Sequence, residues 1–226
     1  MTIEQIIKEA HKLYAGDTSY PDVSSDDWAF MVAAANEAIS NWERENNIFW
    51  KELFTTYSAT TSDGVSQYNL PSNFKQSDGY LRLYVNGTSA KPTLYQQVKP
   101  EEGKTIQTSG GNNQIFWITD KINIYPTPTT AQGTANKTFE LDYYKKATTY
   151  STGQETTPPE MSDPYYIVDW IVFKLFSNDG PVSADKSSLY FQLANNRLAA
   201  MRVAEETPGF FQPAGTINLL SYGFGV

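Results

Sequence analysis

Apolar side chains recur at helical spacing towards both ends of the chain and at every second position in its middle. At the start, Thr2 and Gln5 have the spacing of a capping box, an amphipathic run follows to Tyr14, and Gly16 supplies a stop. After a Pro-Asp turn, Ser24 or Ser25 caps a second helix, whose first turn carries Asp26 and Asp27 where the helix dipole favours acids. Trp28, Val32, Ala35, Ile39 and Trp42 keep the period and predict a helix to about Phe49. From Leu53 the period is two. Phe54 to Tyr57 and Gln67 to Leu70 flank the turn-rich Ser62-Asp63-Gly64, and Tyr80 to Val85 runs into Asn86-Gly87, a hairpin signal. Ile115 to Ile118, a Thr119-Asp120 turn and Ile122 to Tyr125 read as another hairpin, and Thr138 to Tyr144 closes the series. These segments predict a compact antiparallel β region inserted between helices.

A polar, proline-containing loop from Ser151 to Pro159 returns the chain to helix. In PEMSDPYYIVDWIVFKLF (159–176), Asp163 is the expected N-cap and Pro164 stands at the first helical position, where its missing N–H costs nothing. The helix that follows is apolar around nearly its whole circumference, with Asp169 and Lys174 as its only charges. A membrane span needs roughly 20 apolar residues. This run is shorter and carries Asp169 near its middle, and the amphipathic MTIEQIIKEAHK has no apolar core segment. No membrane anchor is therefore expected, and protein must cover the helix. Its own chain, another chain or both can supply that cover, and one face packed inside the chain with another on a neighbouring subunit, through Tyr165, Tyr166, Trp170 and Phe173, would do so. Asn178-Asp179-Gly180-Pro181 ends this helix, and Ala184 to Glu206 forms a partner with Leu189, Leu193, Ala200, Met201 and Ala204 on one side. The two can pair as an αα-hairpin.

The expected fold is thus α+β. Residues 1–52 hold the N-terminal helices of a helical body, 53–150 an inserted and projecting antiparallel β domain, and 151–206 the helix pair that completes the body. Residues 207–226 form an extended arm: they carry no charged side chain, and Gly209, Pro213, Gly215 and Gly223 oppose a helix.

Chemistry narrows the function by subtraction. The chain has no cysteine and a single histidine, His11, so thiolate chemistry, a multi-histidine metal site and a histidine-based triad are excluded within one chain. His11 reads as a surface residue of the first helix. Gly110-Gly111 lacks the Lys-Ser/Thr of a phosphate loop and reads as a hairpin loop, and Glu101-Glu102 beside Pro100 and Gly103 as solvated charges in a turn. Asp169 reads as the solvent-facing or channel-facing line of its helix. No catalytic residue, cofactor or metal ligand is expected, and the chain is not read as an enzyme. The net charge of −8 is uneven, at −6 over residues 1–52, +2 over 53–150 and −4 over 151–226. Without a basic stripe, binding to nucleic acid through its phosphates is disfavoured.

YNLPSNF (68–74), INIYPTPTT (122–130), FELDYYKKATTYS (139–151) and TPPEMSDPYYIVDWIVFKLF (157–176), in that order, resemble the head-to-tail adaptor proteins of tailed bacteriophages, including the tail tubular protein A type of podophages. The resemblance runs from Ser24 to about Leu220. It implies a virion protein of the head–tail junction, made in the host cytoplasm. It also implies a twelve-subunit ring docked on the portal protein, contacting the next tail or nozzle protein and forming part of the channel for genome ejection. Double-stranded DNA would pass through without specific binding, as an acidic helical body facing the channel allows, with the β domain outside. The uncharged arm would then be the portal-binding element, through Phe210, Phe211, Ile217, Leu219, Leu220, Tyr222 and Phe224. Other neck or tail structural proteins, such as a stopper or minor tail protein, follow the same ring logic. A carbohydrate-binding module of a host-recognition apparatus is a further alternative, raised by aromatics in the β region that more often serve packing.

Overall fold

The computed structural model describes residues 1–45, 48–85, 91–110, 113–151, 153–154 and 156–206. They form a mixed α+β structure of two units, one of residues 1–48 with the described residues from 149 on, the other of residues 49–148.

In the first unit, α1 (Ile3–Ala15), α2 (Asp26–Glu43) and α5 (Ala184–Glu206) all pack on α4 (Tyr165–Asn178). The capping box of α1 is formed: Thr2 Oγ1 accepts from the Gln5 N–H, and the Gln5 side chain accepts from the Thr2 N–H at 2.9 Å. Gly16 closes the helix at φ 77°, in the left-handed region that glycine tolerates. Ile3, Ile6, Ile7 and Ala10 are buried at helical spacing. Ser25, rather than Ser24, caps α2, which ends at Glu43 and not near Phe49. At its C-cap, Arg44, the backbone turns to φ −91° and ψ 3°, outside the helical region, and the chain leaves the helix there. Asn36 clips the returning chain to α2, donating to the Tyr150 carbonyl at 2.7 Å and accepting from the Tyr150 N–H at 2.8 Å.

The second unit is a seven-stranded sheet of β1 (Phe54–Thr60), β2 (Gln67–Asn69), β3 (Phe74–Tyr84), β4 (Thr93–Gln97), β5 (Ile115–Ile118), β6 (Lys121–Tyr125) and β7 (Thr138–Lys145), ordered β1-β7-β3-β4-β5-β6-β2. Leu81, Leu83, Tyr95, Phe116, Ile122, Ile124, Phe139 and Leu141 form its core. Tyr57 of β1 and Tyr68 of β2, from opposite edges of that order, both pack edge-on to Phe139, at 6.1 and 5.1 Å. The sheet therefore curls over its own apolar face. On β3 and β7, Arg82 pairs with Asp142 and Glu140, and Glu140 accepts from the Tyr84 hydroxyl at 3.0 Å.

Three expectations for this region are corrected. The sheet is not wholly antiparallel, because β4 and β5 run parallel. Parallel neighbours need a crossover, and α3 (Pro100–Ser109) supplies it. Glu101 and Glu102 are accordingly first-turn acids of a helix that opens on Pro100, and Gly110 is its left-handed C-cap at φ 74°, not part of a hairpin loop. Gly103 had disguised the helix. It is needed there for space: a Cβ at this position would lie 2.5 Å from the Trp117 ring on β5. The Asn86-Gly87 signal lies outside the described residues.

Candidate assembly surface

α4 begins at Tyr165, one residue later than its sequence suggests, with Pro164 in the N-cap position. Asp163 still caps it, accepting from the Tyr165 N–H at 3.0 Å. Ile167, Val168, Ile171 and Val172 are fully buried, each contributing about 1.5–3 kcal/mol relative to exposure. Lys174 reaches Glu37 of α2 at 2.9 Å, and Tyr14 of α1 donates to Asp179 at 2.7 Å.

The reading of Asp169 as solvent- or channel-facing is corrected. Asp169 is 4% exposed and accepts from Arg197 Nε of α5 at 2.6 Å. Arg197 also donates to Asp163 at 3.1 Å and lies over the Tyr165 ring, 5.2 Å from its centroid. A carboxylate at this depth needs a cationic partner, and Arg197 is that partner. Burial raises the Asp169 pKa above the usual carboxylate range, against the hydrogen bond and charge of Arg197 and with a smaller push from Asp163.

The expected interface residues on α4 differ in their surroundings. Tyr165 is exposed, Tyr166 is buried within its own unit, and Trp170 and Phe173 are half-buried. The Tyr166 hydroxyl and Trp170 Nε1 are buried with no hydrogen-bond partner among the described residues, and burial raises the Tyr166 pKa. Trp170 and Phe173 meet each other at 5.3 Å between ring centroids, and Phe191 of α5 at 6.1 and 5.0 Å. Beside this cluster an open apolar pocket of about 430 Å³ is lined by Phe173, Phe176, Pro181, Ala184 and Phe191, among others.

On α5 the expected apolar side is for the most part not a core-facing side. Leu189, Leu193, Ala200 and Ala204 are exposed, and of that set only Met201 is buried. The packed face runs instead through Tyr190, Ala194, Arg197, Leu198 and Met201. Val203 and, in the turn before α5, Val182 are also in solvent, Val182 at 96%. Arg197, Phe191 and Val182 are absent from the expected set. Reflecting the chain about residues 181–184 sets 169 opposite 196, which signals an α5 base as the partner of Asp169. The pairs Phe173–Phe191, Phe176–Tyr190 and Ser177–Ser187 follow the same reflection. The portal set Phe210, Phe211, Ile217, Leu219, Leu220, Tyr222 and Phe224 lies outside the described residues. Among the described residues no acid–histidine cluster fit to hold a metal occurs, and no helix is long and apolar enough to cross a membrane.

The SU10 adaptor protein family model matches residues 1–214 of the 226-residue chain. The chain belongs to the SU10 adaptor protein family, which supports a phage head-to-tail adaptor, a structural protein of the virion associated with portal and tail components. The match supports the adaptor family and no narrower type within it. No curated protein matches the chain.

Proposed function

We propose that this adaptor assembles as a twelve-copy ring beneath the portal, links capsid to tail and forms part of the DNA ejection channel. The observation that carries the reading is the α4–α5 surface: in a chain of an adaptor family, a 23-residue helix leaves Leu189, Leu193 and Val203 in solvent on one side and Phe191 part-exposed beside an apolar pocket on the other. Apolar side chains exposed on two sides of one helix suit contacts with two neighbours, as a ring requires. Tyr165, Trp170 and Phe173 contribute to the subunit interface, with Tyr166 supporting them from beneath.

The acidic balance of residues 1–52 and 151–226 suits a lumen in which carboxylates outnumber bases. A basic lining would hold the genome through counterion release and slow its exit. Catalysis and cofactors have no part in this role.

Residues 207–226 dock on the portal. Burial of Phe210, Phe211, Ile217, Leu219, Leu220 and Phe224 contributes about 1.5–3 kcal/mol each, much of it offset by roughly 1–2 kcal/mol of backbone entropy per residue ordered. One arm therefore binds weakly, and a ring of arms binds by avidity. Deletion of residues 210–226 tests this. The shortened protein is expected to fold, by circular dichroism, and to lose co-sedimentation with its portal; unchanged co-sedimentation would overturn the assignment.

A further inference from the structure

Resting on the ring reading above, we infer that α5 is the joint between neighbouring copies, using two different flanks at once. At 100° per residue, Phe191 lies roughly 90° to one side of the packed Tyr190–Ala194–Arg197–Met201 face, and Leu189 and Leu193 lie roughly 110° and 70° to the other. One flank, with Phe191, Phe173 and the pocket beside Pro181 and Ala184, is concave and aromatic. The opposite flank, with Leu189, Leu193 and Val203, is a ridge of branched side chains in solvent.

Two apolar flanks on opposite sides of one helix identify the occupant. A 23-residue helix is about 35 Å long and about 10 Å across with its side chains, so one flank offers roughly 350 Å². That is less than half of the ~800 Å² per partner typical of a stable pair. A two-fold dimer would use one flank twice and leave the other in water. A head-to-tail contact seats the ridge of one copy in the aromatic pocket of the next and uses both flanks of every copy. Repeated around a closing rotation, it gives a ring. One flank alone is too small to hold two copies at low concentration, so ring closure is favoured where the portal gathers the copies.

The chain has no cysteine, so engineered thiols report without background. Phe191→Cys and Leu193→Cys are prepared as separate full-length proteins and treated with a short bismaleimide, alone and mixed, free and bound to the portal; circular dichroism checks folding. In the portal-bound state the mixture is expected to give crosslinked dimers, while neither variant crosslinks alone. Crosslinking of Leu193→Cys alone would show a two-fold contact and overturn the inference. A ring on the portal whose mixed variants stay uncrosslinked would overturn this inference alone, because the flanks then meet the portal or another segment of the chain. Absence of any ring on the portal would overturn the ring reading together with it.

Discussion

Asp169 shows what one residue demands of a fold. Its sequence context, one acid in an apolar helix, suggests a single wet stripe, but a buried carboxylate with a cation 2.6 Å away satisfies the same pattern. Arg197→Ala leaves Asp169 buried and unpaired. Loss of a fully buried partner costs about 3–5 kcal/mol; with the Arg197 side chain 37% exposed, solvent screening brings the expected loss to about 2–3 kcal/mol. The pH dependence follows from Asp169, whose folded pKa is raised by burial while Arg197 pulls it down. Removing Arg197 raises the folded value further. Above that value the variant carries the full penalty. As the pH falls through it, Asp169 takes up a proton in the folded state and the penalty fades. Urea unfolding at pH 7 and pH 4 should therefore show a larger gap between wild type and variant at pH 7; an equal gap would place the cost elsewhere than Asp169.

Among the elements, α1 and α2 were legible because their signals are local: Thr2, Gln5, Gly16, Ser25, Asp26 and Asp27 each act within a turn of where they stand. α3 was not legible because Gly103 answers to Trp117, fourteen positions away, and a helix-breaking residue near the start of a polar segment reads as a loop. The parallel pairing of β4 with β5 depends on that same crossover and was hidden with it. α5 misled for another reason: its apolar residues spread over more than one face, and its sequence does not say which face its own chain covers. Gly103→Ala separates local from tertiary preference. Alanine favours helix over glycine by about 1 kcal/mol, whereas overpacking against a buried ring costs about 1–3 kcal/mol. Trp117 is 3% exposed and has little room to yield, so a net loss of stability is expected in chemical denaturation; a gain would mean that α3 shifts freely on β5.

At the scale of the whole molecule, the chain comprises two units and an uncharged C-terminal sequence. The broad class was legible from the change in hydrophobic period at either end of the β region and from the ordered motifs between residues 68 and 176. The surface through which copies meet was not, because exposure is a property of packing and no single stretch of sequence carries it. Closure of this adaptor into a ring on its portal, with an acidic lumen, is open to electron cryomicroscopy of the purified protein bound to that portal. A closed ring of twelve copies is expected, with α5 at the joint between subunits and carboxylates of the helical unit outnumbering bases on the inner wall. Scattered single copies on the portal, or a ring with a predominantly basic lumen, would contradict it.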